Sequence, residues 1–199
     1  MPHTPQPLLK PARRLAAALA VWALGAPALP ALAAGALPAA AVQPQDVQVV
    51  VNGPVFSVDV VMHAPVPPAE AFAVLTDFEH MNRFVPNLQS SQVLERSGTV
   101  LRVQQKGVAR FGPLSKGFES VREVRLAPPR EIRVHGLSGS VNRMDSLMQL
   151  QPEPGGTRLQ YHAEVEPGGW MPPLIGPSLV QHETAEQFTA ILQEMLNRH

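Results

Sequence analysis

Arg143, Asp145 and Tyr161 are the residues whose types and spacing best suit acid–base chemistry. Arg143 and Asp145 stand two positions apart in a predicted strand, so their side chains project from the same face. If that face lined a cavity, a guanidinium, a carboxylate and a phenol would be available to move protons on a ligand. The alternation of polar and apolar residues instead predicts that the pair lies on the outer face, and we assign no catalytic residue.

The histidines are predicted to lie on the surface. His135 and His162 occupy outer-face positions of strands, and His182 lies on the polar side of the last helix. The sequence has no cysteine and no His-x-x-x-His motif. We therefore predict neither a metal site nor a cofactor.

Four charged residues, Glu119, Arg122, Glu123 and Arg125, crowd into one predicted strand. Glu119 and Glu123 share a face, and the two arginines are their near neighbours. This pattern is typical of a solvated row of charges, and we interpret the four residues in that way.

The N-terminus has the pattern of an export signal. Basic residues precede an uncharged apolar run over residues 15–24, and Ala31-Leu32-Ala33 has the small-x-small form that signal peptidase cleaves. The apolar run is too short to span a bilayer comfortably. We predict a signal peptide over residues 1–33, no stable membrane span, and a periplasmic or secreted protein.

The remaining chain is predicted to be a spacer followed by one domain. Residues 34–45 are dominated by alanine and proline, which is typical of a disordered spacer, and residues 46–199 are long enough to form a core. Removing the leader takes basic residues and no acidic ones, which leaves a mildly acidic chain. That charge argues against nucleic acid as a partner.

Turn residues divide this domain into strands and helices. The segments 47–51 and 55–63 predict a hairpin or a bent first strand, and prolines then lead into two short helices over 69–75 and 77–83. From residue 90 to residue 166, alternating apolar and polar residues are separated by Gly- and Pro-rich turns. This pattern predicts a β-meander of six strands with one apolar face.

The last element is predicted to be an amphipathic helix from Pro173 to Arg198. Proline suits the first position of a helix, so Gly176-Pro177 marks its start. An antiparallel sheet with one apolar face needs a cover, and this helix is the element long enough to provide it. Its apolar stripe consists of Val180, Thr184, Phe188, Ile191, Leu192 and Met195.

The segment Pro68-Ala69-Glu70-Ala71-Phe72-Ala73-Val74-Leu75-Thr76-Asp77-Phe78-Glu79-His80-Met81, followed by Phe84-Val85-Pro86 and Val93-Leu94-Glu95, carries a family resemblance. It resembles the helix-grip superfamily, which includes START, Bet v 1-like and polyketide cyclase/dehydrase-like proteins. The similarity is greatest to the cyclase-like branch with its coenzyme Q-binding relatives. The resemblance implies an α+β fold in which a curved antiparallel sheet of six to seven strands wraps a long C-terminal helix around a cavity.

The predicted ligand-contacting residues come from the apolar strand faces, the cavity lid and the start of the last helix. Phe188, Ile191 and Met195 are predicted to pack on the sheet, whereas the first turns of the helix are predicted to touch the ligand. For the strand residues, core and cavity wall remain equal alternatives. The full set is Phe56, Val58, Val60, Phe84, Val103, Phe118, Val134, Met144, Met148, Tyr161, Trp170, Leu174, Ile175, Val180 and Thr184.

The function predicted from these features is binding or carriage of a hydrophobic small molecule or lipid, with a quinone-like molecule among the candidates. Apolar faces rich in Met, Val and Leu suit an adaptable pocket. One alternative is a cyclase- or dehydratase-type enzyme that uses the same cavity, and another is a protein-interaction module. The sequence does not indicate the oligomeric state.

Overall fold

A computed structural model describes residues 41–111, 114–168 and 176–199 of the chain, without the side chains of residues 109–111 and 114. Eight strands form one antiparallel sheet in the order β1-β2-β8-β7-β6-β5-β4-β3, so β1 and β3 are its edges. The strands are β1 (Val47–Asn52), β2 (Val55–Ala64), β3 (Leu88–Ser97), β4 (Val100–Phe111), β5 (Leu114–Ala127), β6 (Glu131–Gly139), β7 (Val141–Glu153) and β8 (Gly156–Pro167).

Two α-helices accompany the sheet, and proline begins both. Helix α1 (Pro68–Leu75) follows the first hairpin, and helix α2 (Pro177–Arg198) ends the chain. Gly176 occupies the N-cap position of α2 and Pro177 the first turn, as the sequence predicts. Single 3-10 turns lie at Pro44–Asp46 and Met81–Arg83.

The predicted strand number of six to seven is wrong, because the first segment is a complete hairpin. Gly53 has a φ of 59°, which allows the chain to reverse after β1. Strand β1 pairs with β2, and β2 pairs on its other side with β8. The six later strands are present, but the second of the two predicted short helices is reduced to the 3-10 turn at Met81–Arg83.

The core lies between the inner face of the sheet and α2. Along β2, the even-numbered residues from Phe56 to Ala64 are buried and the alternating ones are largely exposed. On α2, Phe188, Leu192 and Met195 are buried against this face. Burial of each such side chain contributes about 1.5–3 kcal/mol, so this interface fixes the helix on the sheet.

Contacts of the folded domain begin within the segment predicted as a spacer. Val42 is 7% exposed and belongs to the core. Its backbone N–H donates to Thr189 Oγ1 at 2.9 Å, and the Thr189 hydroxyl lies 3.3 Å from the Val42 carbonyl oxygen. The chain therefore crosses the C-terminal half of α2 before it enters β1. The predicted signal peptide lies outside the described residues.

Candidate ligand-binding cavity

A cavity of about 350 Å³ lies between the inner face of the sheet and the middle of α2. Its walls are mainly apolar, with a few polar side chains among them. The lining residues are Leu75, Phe78, Met81, Val85, Pro86, Leu88, Gln105, Phe118, Glu119, Ser120, Arg122, Ile132, Val134, Ser140, Val141, Met144, Ser146, Met148, Tyr161, Gln187, Phe188 and Ile191.

Five of the predicted site residues line this cavity: Phe118, Val134, Met144, Met148 and Tyr161. They come from strands β5 to β8, where the sheet is farthest from its edges. A concave apolar surface of this size is the usual form of a small-molecule site.

Four other predicted residues are packed into the core and do not line the cavity. Phe56, Val58 and Val60 lie on β2 and are at most 6% exposed. Val103 on β4 is 1% exposed. Val58, Val60 and Val103 belong to the core cluster, so they act as core residues.

The cavity borders a different part of α2 from the first turns, which were predicted to touch the ligand. Val180 is half-buried against the core and Thr184 is also half-buried, and neither lines the cavity. The first turns of α2 lie over the edge of the sheet, where Gln181 Nε2 donates to the Val47 carbonyl oxygen at 2.9 Å. The helix residues at the cavity are instead Gln187, Phe188 and Ile191, of which the last two were predicted as packing residues.

Phe84 stands outside the cavity lining, with the Arg198 guanidinium 5.5 Å from its ring centroid. It belongs to the contact between the C-terminal turn of α2 and the segment after α1. The remaining predicted contacts, Trp170, Leu174 and Ile175, lie outside the described residues.

Arg122 is the site residue that sequence reasoning missed. It lies on the inner face of β5 and lines the cavity, not in a solvated charge row on the outer face. An even number of positions separates Arg122 from Phe118, Val124 and Leu126, so all four side chains lie on one face of the strand. The three apolar residues face inward. Strict alternation was therefore the signal that pointed inward, and the charge of the residue obscured it.

The Arg122 guanidinium has no acidic partner. All 16 acidic side chains of the chain lie among the described residues, and none forms an ion pair with Arg122. Glu119, the carboxylate residue that borders the cavity, instead contacts Gln104 Nε2 at 2.8 Å and Lys106 Nζ at 3.2 Å. Burial lowers the pKa of Arg122, but an arginine remains charged inside proteins.

Tyr161 places a phenol in the cavity lining together with Arg122. Burial raises the pKa of its phenol, and a hydrogen bond with Ser146 and the charge of Arg122 act in the opposite direction. Its ring meets Phe188 of α2 edge to face, with the centroids 4.9 Å apart. The phenol is therefore held in its protonated form beside a cationic guanidinium.

The Arg143–Asp145 pair lies on the outer face, as alternation predicts. Arg143 Nε is 2.8 Å from Asp145 Oδ2, and its Nη2 is 2.8 Å from Glu164 Oε2. His135 Nδ1 lies 2.7 Å from the other oxygen of Asp145, and both side chains are more than a third exposed. Hydrogen bonds from His135 and Arg143 lower the pKa of Asp145. These groups cannot act on a ligand inside the cavity.

Among the described ranges, no group of three or more His, Cys, Asp or Glu side chains is arranged to hold a metal ion. No helix of those ranges is both long and apolar enough to cross a membrane.

An antiparallel sheet that holds a long C-terminal helix over a ligand-sized cavity defines a helix-grip protein. The chain belongs to the polyketide cyclase/dehydrase and lipid transport family, whose model matches residues 64–192. The matched region starts at the end of β2 and ends within α2, so it includes every described strand and helix that lines the cavity.

Solved structures share this fold at low sequence identity. The protein TTHA0849 from Thermus thermophilus superposes with a TM-score of 0.61 at 19% identity, covering 71% of this chain and 98% of that one. The STAR-related lipid transfer protein from Xanthomonas axonopodis gives 0.62 at 15% identity, with 75% and 91% covered. The Zhui aromatase/cyclase from Streptomyces sp. R1128 gives 0.57 at 15% identity, with 72% and 95% covered.

At these identities the similarity establishes the fold alone, because one fold serves many unrelated activities. No curated protein matches the sequence at a significant level.

Proposed function

We propose that this protein binds an amphiphilic small molecule or lipid, with its apolar body in the cavity and its anionic or oxygen-rich end at Arg122. The observation that carries this proposal is the cation inside the cavity without an acidic partner. Met144, Met148 and Phe188 supply an apolar wall that can adapt to the ligand body.

The Arg122 charge carries a desolvation cost, because the side chain is half-buried and the surrounding protein lowers the pKa of its guanidinium. Removing a cation from water without a partner is unfavourable by several kcal/mol. A ligand carboxylate or phosphate would compensate that cost through charge-assisted hydrogen bonds, and a guanidinium matches their planar or branched oxygens. A quinone-like carbonyl would use the same donors together with the Tyr161 hydroxyl, at lower strength because it carries no charge.

The carrier role rests on the leader of the sequence. An exported domain with this cavity would hold an insoluble molecule in the aqueous cell envelope. The lipid-transfer name of the Xanthomonas axonopodis structure fits this role.

Catalysis in the same cavity is the second candidate, and Arg122 and Tyr161 together favour it. A guanidinium and a protonated phenol aimed at one carbonyl would stabilise an enolate, as a cyclase or dehydratase requires. The aromatase/cyclase name of the Streptomyces structure fits this alternative. Tyr161 would then be needed for turnover but not for binding, which distinguishes the enzyme from the carrier.

The direct test is native mass spectrometry of the full chain purified from its own cell envelope. We expect a bound acidic amphiphile in the wild type and its loss in Arg122→Leu. The matched control is Arg125→Leu on the same strand, because Arg125 is exposed and pairs with Glu123 at 2.7 Å. Equal ligand occupancy in the wild type and Arg122→Leu would overturn the proposal.

A further inference from the structure

Gln105 is a buried polar residue on the inner face of β4 that lines the cavity. Its residue surface is 6% exposed. The side-chain nitrogen donates to Ser91 Oγ at 3.0 Å and lies 3.3 Å from Met81 Sδ. Gln105 therefore ties β4 to β3 and to the 3-10 turn at Met81–Arg83.

These contacts fix which way the Gln105 amide points. A thioether sulfur accepts hydrogen bonds and cannot donate them, so the amide nitrogen has to face Met81. Among the described residues, no donor is hydrogen-bonded to the amide oxygen, and no fully buried side-chain oxygen lacks a partner. The oxygen is thus accessible, and the cavity is the space that this side chain borders.

This free acceptor lies beside the free donor Arg122. In the β4–β5 register Val103 faces Arg122 and Gln105 faces Ser120, so Gln105 and Arg122 are diagonal neighbours on the inner face. Such neighbours are separated by roughly 7–8 Å at the backbone. The cavity wall therefore presents a cation and a neutral acceptor on neighbouring strands, where two polar groups of one ligand could contact them.

We propose that the Gln105 amide oxygen accepts a hydrogen bond from a hydroxyl group of the ligand, close to the anionic end that Arg122 binds. The ligand class is then an acidic amphiphile hydroxylated near its acid group. This inference rests on the proposed function and adds a specificity-determining residue to it. A buried hydrogen-bond acceptor strengthens binding of a ligand that donates a hydrogen bond to it, relative to an otherwise matched ligand that has no donor.

A purely structural role for Gln105, as the link between Ser91 and Met81, makes a different prediction. Loss of that link would weaken binding of every ligand alike and lower the melting temperature. Gln105→Met keeps the side-chain volume and removes the oxygen. Ser91→Ala removes the link to β3 and leaves the Gln105 oxygen in place, which makes it the matched control.

The experiment is calorimetric titration of the full chain, freed of bound lipid, with four probes. They are dodecanoate and its derivatives with a hydroxyl on the second, the third or the terminal carbon. In the wild type and Ser91→Ala, we expect one of the two proximal hydroxyls to improve affinity about fivefold over dodecanoate, and the terminal hydroxyl to give no gain. In Gln105→Met that gain should vanish while dodecanoate still binds.

Two results overturn the inference alone: dodecanoate binds but no proximal hydroxyl improves affinity, or the gain survives in Gln105→Met. If none of the four probes binds the wild type, the proposed function fails, and the inference fails with it. Should Gln105→Met not fold, Gln105→Asn serves instead, because its shorter side chain withdraws the oxygen from the cavity. Retention of the proximal gain in that variant also overturns the inference.

Discussion

Arg122 faces Gly136 across the β5–β6 pair, next to the register shift between Val121 and Arg122. Because Gly136 has no side chain, the inner face of β6 is bare beside the guanidinium. A Cβ atom at Gly136 would lie 3.2 Å from the carbonyl oxygen of Met144 and 3.3 Å from its Cβ. A side chain at Gly136 would therefore crowd Met144, which lines the same cavity as Arg122, Ser146 and Tyr161.

Gly136→Val tests this relationship. The added side chain overpacks the wall at Met144, at a cost of about 1–3 kcal/mol in stability, and occupies space beside Arg122. If the guanidinium is displaced, binding loses a charge-assisted hydrogen bond worth about 1.5–3 kcal/mol, so dodecanoate affinity should fall about tenfold or more. Calorimetric titration measures the affinity and urea unfolding measures the stability.

Gly117→Val is the matched control for this substitution, because the nearest atom to a Cβ there is 3.9 Å away. It should leave dodecanoate affinity unchanged. Unaltered affinity in Gly136→Val would show that the space beside Arg122 is not needed for its orientation.

Arg122→Leu is predicted to stabilise the ligand-free protein. The wild type carries a cation without an acidic partner in an apolar wall, and leucine removes that desolvation cost. Because Arg122 is only half-buried, we expect the free energy of unfolding without ligand to rise by about 1 kcal/mol or less, while dodecanoate binding is lost. A stability that falls to the same extent as in other large-to-small core variants would mean that the guanidinium has a protein partner.

The sequence predicts the inner face of the sheet better than it predicts the site. Alternation identified Phe118, Met148 and Tyr161, because a residue pattern of period two is decided locally. Arg122 was nevertheless assigned to the solvated charges, because charged residues are rarely buried without a partner and this expectation outweighed the alternation. A charged residue at a strand position that faces inward is itself typical of a functional site.

The position of the cavity along α2 was beyond sequence reasoning for a different reason. Val180 and Phe188 lie on one apolar stripe, and the periodicity treats them alike. Whether a residue of this stripe packs on the sheet or borders the cavity depends on how far each strand extends beneath the helix. That distance is set by pairings such as β2 with β8, which join residues about a hundred positions apart.

Tyr161 is predicted to titrate above its ordinary pKa. Burial raises the pKa of the phenol in the folded protein, so the unfolded chain releases the proton first as the pH rises. The stability contributed by the neutral phenol is complete below the unfolded pKa of about 10 and is lost as the pH rises through the folded value. Phenolate absorbance reports this one group, because the chain has a single tyrosine.

Urea unfolding at several alkaline pH values should show this loss in the wild type and not in Tyr161→Phe. At neutral pH the same variant should lose no more than about 1 kcal/mol, since the ring contact with Phe188 remains. A tyrosine that titrates at or below the value in the unfolded chain would contradict its burial beside the cavity.

Arg198 is predicted to stabilise the contact between the end of α2 and the segment after α1, which contributes to the cavity lining. Its guanidinium lies 2.8 Å from Asp77 Oδ2, 2.7 Å from Glu194 Oε1 and 5.5 Å from the Phe84 ring centroid. These contacts join α2 to the segment that carries the cavity residue Met81. Because the Arg198 side chain is 37% exposed, we expect Arg198→Ala to cost only about 1 kcal/mol or less at neutral pH.

The acid dependence of that cost distinguishes the ion pair from packing. Burial raises the pKa of Asp77, but hydrogen bonds from Arg198 and His80 outweigh it, so the pKa is lowered overall. A lowered carboxyl pKa stabilises the fold above the pKa of the unfolded chain, and that stabilisation is lost as the pH falls through the folded value. The stability difference between wild type and Arg198→Ala should therefore shrink in acid.

Arg102→Ala, which breaks the more exposed pair with Glu95 at 3.3 Å, is the control and should change stability little at any pH. A cost for Arg198→Ala that is independent of pH would assign the contact to the Phe84 ring instead of to Asp77.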